Sequence, residues 1–590
     1  MRNLKQKLVK KAHAKAAPYL FQPTLVDLVD ARAMELGQKA LYIYLPNPSV
    51  TTGETLSFAD LQFKAQALAA LILKTHKPGE RALLVYDCNL DYIIGFFACL
   101  YAGVIAVPVY PPTSPQHLAR LMAIIKDSSP SLTLTTKGLR GLCPTEVDCL
   151  INEDSVALQG QLFNGPLVNE DDIAFLQYTS GSTGNPKGVV LTHKNLMCNL
   201  RMIIDGFKLR QTDVQLSWLP LYHDMGLIGG ILNPLANGTT TYLISPMTVV
   251  RPLKWLKLLS DLKITGAGAP NFAYDLCCDR ISDEDIKTLD LSSLRIMFSG
   301  AEVIRQATLD RFASKFAPAK FNPKALTPCY GMAEATLLVT ISNPGEGYIE
   351  QNKHVSCGRA AKGIELKIIN ENDQVLAPGM DGEIIIAGNN VTKGYWNKES
   401  DEFYVTINGI RFFRTGDLGY VDDHGQLFVT GRKKELLIIR GKKYHPHDIE
   451  DAAKKAHSSV NFMVAAAFAV EIANEEKLVF AVEIPTTTKE VVSLEIKKNI
   501  SAVIQEMFGL NAHEVLLLRQ GQIPRTSSGK IRRLACRDNY LKVAWQLYSD
   551  DWKNTRLYSK TRKNVKRNSL VVQFHLNNLK RNVSQIIRAN

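Results

Sequence analysis

The chain has 590 residues, of which 46% are hydrophobic and 22% charged, and its formal net charge is +13 at pH 7. This length exceeds what one hydrophobic core serves and predicts three or four folding units of an ordinary globular protein. The ten cysteines show no Cys-x-x-Cys pair and no Cys/His spacing suited to zinc, so reduced thiols in a cytoplasmic enzyme are expected.

The positive charge is concentrated at the two ends of the chain. Residues from Lys553 to the C-terminus include ten Lys or Arg and no acid, and Met1 to Ala17 includes six and no acid. The remaining body is therefore close to neutral, which argues against a nucleic-acid-binding enzyme body and predicts no nucleic-acid partner. The first 17 residues lack an apolar segment, so no signal peptide is expected.

The pattern from Thr24 to about Val190 alternates between helical and strand periods, which predicts α/β layers with largely parallel sheets. The same alternation continues from Leu196 to Ser299. From Val355 to Gly431 short strands with turns predict a small β-rich subdomain. The predicted elements are helices Phe58–Thr75, Asp91–Tyr101 and Trp255–Leu262, and strands Arg81–Tyr86, Val104–Val109, Leu294–Phe298, Glu383–Ala387 and Gln426–Thr430.

A second, smaller α+β domain is predicted to start near Lys433. Its elements are strands Glu435–Ile439, Val464–Val470, Lys477–Ile484 and Glu514–Leu518, and helices from near Asp448 and over Ser493–Phe508. The predicted organisation is a basic N-terminal extension (1–23), a large α/β domain (24–432) that is β-rich from about 355, a small mobile domain (433–548) and a basic tail (549–590).

The segment Tyr178–Gly188 places four hydroxyl residues and two glycines within six positions, followed by Lys187 and Gly188. Glycines let backbone N–H groups approach a ligand, and hydroxyl and ammonium groups suit phosphate oxygens. The apolar runs on either side predict strand–loop–strand, which differs from a Walker A loop and its following helix. A surface hairpin is the alternative interpretation of the loop alone.

Read in full, this segment resembles the signature loop of the adenylate-forming superfamily: acyl-CoA synthetases, fatty acyl-AMP ligases, luciferases and peptide-synthetase adenylation domains. Five further segments resemble motifs of that superfamily in the same order, from about Leu25 to about Trp545. They are Trp218–Leu227, Ser299–Glu302, Cys329–Thr336, Arg414–Gly419 and Pro524–Arg533.

The resemblance implies a role for each motif. Lys530, His223 and Glu334 are implied as catalytic, with Glu334 also holding Mg²⁺ on ATP. Phosphate binding is implied for Thr179, Ser180, Gly181, Ser182, Thr183, Gly184 and Lys187. Adenosine binding is implied for Gly300, Ala301, Glu302, Tyr330, Gly331, Met332, Ala333, Asp417 and Arg432. An acyl pocket is implied at Met225, Ile228 and Phe272, and a hinge at Lys434.

Within the superfamily the chain is most similar to fatty acyl-AMP ligases. Phe272, Ala333 and the single Gly441 after Arg440 match that branch, whereas acyl-CoA synthetases tend to have a Gly-Gly pair at the last place. The implied reaction joins a fatty acid to AMP, releases pyrophosphate, and then passes the acyl group to a phosphopantetheinyl carrier in trans. That carrier would be an acyl carrier protein or a carrier domain of a polyketide or peptide synthase.

Three alternatives stay open. Fatty acyl-AMP ligases usually carry an insertion after the Tyr-Gly motif, and only Leu337–Val355 is available here, so a long-chain acyl-CoA synthetase is the second interpretation. An amino-acid adenylation enzyme is the third, since Asp224 could hold an ammonium group. A non-catalytic binding homologue is the fourth, although Lys530, Glu334 and Asp417 are all present.

The basic tail contains apolar residues at helical spacing, at Val572, Leu576, Leu579, Val583 and Ile586. This pattern predicts an amphipathic helix that docks an acidic partner or an anionic membrane surface. A helix packed on the enzyme body is the alternative.

Overall fold

The computed structural model describes residues 22–180, 186–351, 354–399, 401–440, 442–460, 463–472, 475–485, 488, 490–526, 530–542 and 545. The chain divides into two compact units between Lys433 and Lys434. The predicted tail helix and most of the N-terminal extension lie outside the described residues. Among the described residues, no helix combines the length and the apolar character needed to cross a membrane.

A six-stranded sheet in the first unit carries the predicted phosphate hairpin. The strands Ile173–Ser180 and Pro186–Thr192 pair antiparallel, with Thr179 opposite Lys187, and the other neighbours run parallel. The central strands are buried on both faces, as expected for a parallel sheet between helices. The order across the sheet is Asp148–Ile151, Leu132–Thr135, Arg81–Val85, Ile105–Val109, Ile173–Ser180 and Pro186–Thr192.

A nine-stranded sheet forms the other large layer of this unit. Its central strands are parallel, and the strands at both edges are antiparallel. The order is Arg359–Ala360, Leu338–Ile341, Leu326–Gly331, Ile296–Ser299, Gly266–Ala269, Val214–Ser217, Thr240–Ile244, Ala40–Leu45 and Glu54–Ser57.

Helices connect the strands, and their ends follow local signals. Ser57 and Asp60 form a capping box at the start of one helix, and Asn89 caps the apolar helix that ends before Gly103, where φ is +66°. The helix predicted to reach Thr75 ends at Ile72. The α-helices are Leu25–Leu36, Phe58–Ile72, Leu90–Tyr101, Pro115–Ser128, His193–Gly206, Asn233–Asn237, Pro252–Asp261, Asn271–Arg280, Asp283–Ile286 and Gln306–Lys315, with a π-helix at Met225–Leu232.

The last part of the first unit is β-rich, as predicted. A five-stranded antiparallel sheet follows the order Glu365–Ile369, Gly382–Ala387, Ile410–Val421 and Tyr404–Ile407, and Leu427–Arg432 also pairs with Ile410–Val421. A short hairpin, Glu350–Gln351 with His354–Val355, precedes it.

The second unit is a compact α+β domain. Its three-stranded sheet has the order Ala465–Ile472, Glu475–Ile484 and Ala512–Arg519, and Leu437–Ile439 pairs separately with Lys442–Tyr444. Its helices are Pro446–Lys454, Glu490–Phe508 and Arg533–Leu541. The strand predicted from Glu435 begins only at Leu437, because Lys433–Glu435 forms a 3-10 turn. The predicted fold class, a layered α/β domain with a β-rich subdomain and a small α+β domain, is confirmed.

Candidate active site

Three of the predicted motifs and the predicted acyl-pocket residue Phe272 lie at or just after the ends of four neighbouring strands in the nine-stranded sheet. All four of these strands run parallel, so their carboxyl ends meet at one edge, where open α/β sheets bind ligands. The fold therefore brings together segments far apart in sequence. The strands in question end at Ser217, Ala269, Ser299 and Gly331.

The predicted adenine-binding turn is held tightly against the next strand. A Cβ added at Gly300 would lie 3.0 Å from the carbonyl oxygen of Cys329, and Ala301 has a φ of +77°, which few non-glycine residues adopt. The Oε1 atom of Glu302 accepts a 3.4 Å hydrogen bond from the backbone N–H of Phe272. The turn thus joins the predicted adenine site directly to a predicted acyl-pocket residue.

Three predicted adenosine-binding residues converge from separate segments. The Tyr330 hydroxyl donates to Oδ2 of Asp417 over 2.7 Å, and the Nε of Arg432 lies 2.9 Å from Oδ1 of the same carboxylate. Burial, together with the charge of Asp417, raises the pKa of Tyr330 well above its usual value, so the hydroxyl stays a donor. Because a carboxylate offers about four lone-pair sites, Asp417 keeps acceptor capacity for ribose hydroxyls.

A sharp turn after Tyr330 presents Glu334. A Cβ at Gly331 would lie 1.8 Å from the carbonyl oxygen of Leu337, and the N–H of Met332 donates to that oxygen over 2.9 Å. Ala333 is buried at the start of the short 3-10 helix Ala333–Ala335. The backbone is therefore fixed on both sides of the carboxylate.

The Glu334 side chain is partly buried, and its carboxylate accepts a hydrogen bond from Tyr395. Burial raises its pKa, and the Tyr395 hydroxyl, which donates to Oε1 over 2.8 Å, opposes that shift. Smaller electrostatic effects come from Arg432, which lowers the pKa, and Asp224, which raises it. Charged residues of the adenosine-binding and acyl-pocket segments therefore both influence the pKa of Glu334 within the first unit.

Lys187 of the phosphate hairpin lies over two aromatic rings near this carboxylate. Its Nζ atom is 4.9 Å from the ring centroid of Tyr395 and 4.4 Å from that of Phe403. Thr179 and Ser180 end the first hairpin strand, and Gly181, Ser182, Thr183 and Gly184 lie outside the described residues.

Tyr395 and its neighbours are functional residues that were not predicted from the sequence. Thr392 donates its N–H to the Glu334 carbonyl over 2.8 Å, and the N–H of Trp396 donates to the Gly188 carbonyl over 2.7 Å. This segment therefore ties the phosphate hairpin to the Glu334 turn. Its Gly-Tyr-Trp string was visible in the sequence, but nothing local in it indicates a contact with a carboxylate 61 residues away.

The predicted acyl-pocket segment begins a π-helix, a feature frequent at functional sites. The N–H of His223 donates to the Pro220 carbonyl over 3.1 Å, and Asp224 caps the N–H of Met225 over 2.8 Å. Phe272 packs edge to face on Trp218, with ring centroids 6.1 Å apart. Met225 is partly exposed, whereas Ile228 is fully buried in the core.

Lys530 belongs to the second unit, and its backbone bonds to Thr526. The N–H of Thr526 donates to the Lys530 carbonyl over 2.8 Å, and the Lys530 N–H donates to the Thr526 hydroxyl oxygen over 3.0 Å. Residues 527–529 lie outside the described part of the chain. Lys434, the predicted hinge, begins this unit within a 3-10 turn.

The motif ends in an ion-pair network rather than a solvated basic face. Arg533 contacts both oxygens of Glu450 at 2.7 and 2.8 Å and Oε2 of Glu435 at 2.5 Å. The Glu450 side chain is only 1% exposed; burial raises its pKa, but Arg533 outweighs burial and leaves the pKa lowered. Arg533 therefore fixes the end of the lysine motif to Glu450 and Glu435 of the second unit.

Comparison with known proteins agrees with this arrangement. Residues 29–396 match the family model described as "AMP-binding enzyme". The medium-chain-fatty-acid–[acyl-carrier-protein] ligase JamA of Moorena producens is 36% identical, over 88% of this chain and 95% of its own length. The putative fatty-acid–CoA ligase FadD21 of Mycobacterium tuberculosis is 33% identical, over 88% of this chain and 98% of its own.

A solved structure extends the comparison to the bound product. The fatty acyl-adenylate ligase of Legionella pneumophila, in complex with acyl adenylate and pyrophosphate, is 35% identical with a TM-score of 0.69. The match covers 90% of this chain and 98% of that one. Together with the ordered motifs and the converging site, these matches show that the chain belongs to the AMP-binding enzyme family, on its fatty acyl-AMP ligase branch.

Proposed function

We propose that the enzyme joins a fatty acid to the α-phosphate of ATP, releases pyrophosphate, and passes the acyl group to a phosphopantetheinyl carrier protein in trans. The observation that carries this proposal is the joint placement of Tyr330, Asp417 and Arg432 beside Glu334. Such a cluster suits a nucleoside with its triphosphate directed toward Lys187.

The chemistry needs little more than positioning and charge. A carboxylate oxygen attacks the α-phosphorus, a new P–O bond forms, and the bond to the β-phosphate oxygen breaks. Lys530 would contact both the fatty-acid carboxylate and the α-phosphate and offset the repulsion between these two anions. This is positional and electrostatic catalysis without a covalent enzyme intermediate. His223 would lie near the reacting carboxyl.

The residues present fit a magnesium ion bound together with ATP. Glu334 offers a single carboxylate, and the described residues contain no group of three His, Cys, Asp or Glu that could hold a metal. Mg²⁺ commonly takes one or two carboxylates and fills its remaining positions with phosphate oxygens and water. When bound, it would neutralise charge on the triphosphate.

A fatty acyl-CoA synthetase is the second candidate, and the name of FadD21 and the short segment Leu337–Val355 favour it. Arg440 favours the acyl-AMP proposal. It has a φ of +52°, a left-handed conformation that suits glycine, yet carries a long exposed side chain where acyl-CoA synthetases tend to have Gly-Gly. We expect this side chain to hinder the pantetheine arm of CoA.

We further propose a cytoplasmic enzyme with no nucleic-acid partner, whose basic tail contacts an acidic protein or an anionic membrane. The near-neutral body supports the absence of a nucleic-acid partner, and the basic C-terminal end supports contact with an acidic protein or membrane.

The test of the proposed function is fatty-acid-dependent pyrophosphate release across a chain-length series, comparing wild type with Asp417→Asn. We expect release that depends on the fatty acid and a Km for ATP raised by the substitution. Release that is independent of any fatty acid would contradict the proposal.

A further inference from the structure

One aromatic side chain contacts both charged groups that would handle the triphosphate. The Tyr395 hydroxyl donates to Oε1 of Glu334 over 2.8 Å, while the Tyr395 ring lies 4.9 Å from the Nζ of Lys187. Phe403 forms the second wall of the Lys187 site and meets Tyr395 edge to face, with centroids 4.8 Å apart. Lys187, Tyr395 and Phe403 therefore form one contiguous group of side chains with Glu334.

Each contact has a distinct physical consequence. A donor on Oε1 fixes the orientation of the carboxylate. An aromatic face attracts an ammonium group through its quadrupole and leaves the positive charge intact. Tyr395 can therefore orient an anion and a cation at once.

The backbone around Tyr395 is fixed to both partners. Thr392 bonds to the carbonyl of Glu334, its hydroxyl donates to the Val190 carbonyl over 2.7 Å, and Trp396 bonds to Gly188 beside Lys187. A side chain on this segment cannot shift without disturbing the hairpin and the Glu334 turn together. This rigidity is what a group that orients charged residues requires.

We propose that Tyr395 is a positioning residue for adenylation: its hydroxyl orients Glu334 toward the metal bound with ATP, and its ring, with Phe403, holds Lys187 ready for the phosphates. The inference rests on the proposed function and adds a specific division of labour. The hydroxyl acts on the metal through Glu334, and the two rings act on the phosphates through Lys187.

The test measures ATP binding calorimetrically in EDTA and then across a Mg²⁺ titration, in wild type and three variants. Tyr395→Phe keeps the ring and removes the hydroxyl, whereas Phe403→Leu keeps the hydroxyl and removes one wall. Tyr404→Phe is the matched control, because the Tyr404 hydroxyl donates to the Thr392 carbonyl over 2.5 Å and so supports the same backbone segment that carries Tyr395.

For Tyr395→Phe we expect the Mg²⁺ concentration at half effect to rise about tenfold or more, as for other residues that orient a metal ligand, with ATP affinity in EDTA within about twofold of wild type. For Phe403→Leu we expect ATP affinity in EDTA to weaken by about three- to thirtyfold, with little change in the Mg²⁺ midpoint. Tyr404→Phe should resemble wild type in both.

An unchanged Mg²⁺ midpoint in Tyr395→Phe would overturn the inference. An equal change in Tyr404→Phe would also overturn it, because loosening of the segment would then be sufficient. A wild-type affinity for ATP that does not change with the Mg²⁺ concentration would also overturn the inference. A wild type that binds ATP and Mg²⁺ as expected but makes no acyl-AMP contradicts the proposed function instead, and the titrations still decide the role of Tyr395.

Discussion

Replacing Arg533 with alanine should destabilise the second unit severely. The Glu450 side chain is 1% exposed, so the substitution leaves a buried carboxylate whose remaining donor among the described residues is the Ala467 N–H at 2.9 Å. Removing one partner of a buried ion pair costs about 3–5 kcal/mol. For a domain of this size, the melting temperature of that unit should fall by more than about 12 °C.

The assay is scanning calorimetry of the intact enzyme, with Arg537→Ala as the matched control. Arg537 is on the same helix, but its 3.9 Å pair with Asp538 is about half exposed, so its loss should cost under about 0.5 kcal/mol. Adding Glu450→Gln to an Arg533→Met variant should recover part of the lost stability, because it removes the unpaired charge. A melting temperature in Arg533→Ala within about 2 °C of the Arg537→Ala value would refute the reasoning.

Three further outcomes are expected. Lys530→Ala should lower acyl-adenylate formation by about 10²- to 10³-fold with an unchanged melting curve, and retention of more than about a tenth of wild-type pyrophosphate release would contradict the catalytic role. Burial lowers the pKa of His193 to about 4 from 6.5, and its Nδ1 accepts from the Leu25 N–H. The unfolded chain therefore binds the extra proton, and urea titrations should show up to about 3 kcal/mol of stability lost as pH falls from 6.5 to 4, with a shallower loss in His193→Asn. Truncation after Trp545 should preserve acyl-AMP synthesis and thermal stability while lowering acyl transfer or vesicle binding; an unfolded or inactive truncation would show that the tail is structural.

The fold and much of the site could be predicted from the sequence because they depend on local signals. The spacing of hydrophobic residues predicted most helices and strands to within a few residues. The glycine-rich hairpin and the Gly-Asp turn could be recognised because their functional residues are consecutive in the sequence. The carboxyl ends of parallel strands then bring the separate motifs together without further information.

Contacts between residues far apart in the sequence could not be predicted, because no local pattern indicates them. Tyr395 reaches Glu334 across 61 positions, and Arg533 reaches Glu450 across 83. A basic run usually indicates a solvated face, so nothing at Arg533 predicted burial. Both roles arise because tertiary packing places a donor against the partly buried Glu334 carboxylate and a cation against the fully buried Glu450 carboxylate.

The central claim is most directly tested by identifying the product when fatty acid, ATP, Mg²⁺, CoA and a phosphopantetheinylated carrier protein are supplied together. Mass spectrometry should find acyl-AMP and acyl-carrier, with little acyl-CoA, and acyl-CoA should increase in Arg440→Gly. Efficient acyl-CoA formation by the wild-type enzyme, without transfer to the carrier, would contradict the account.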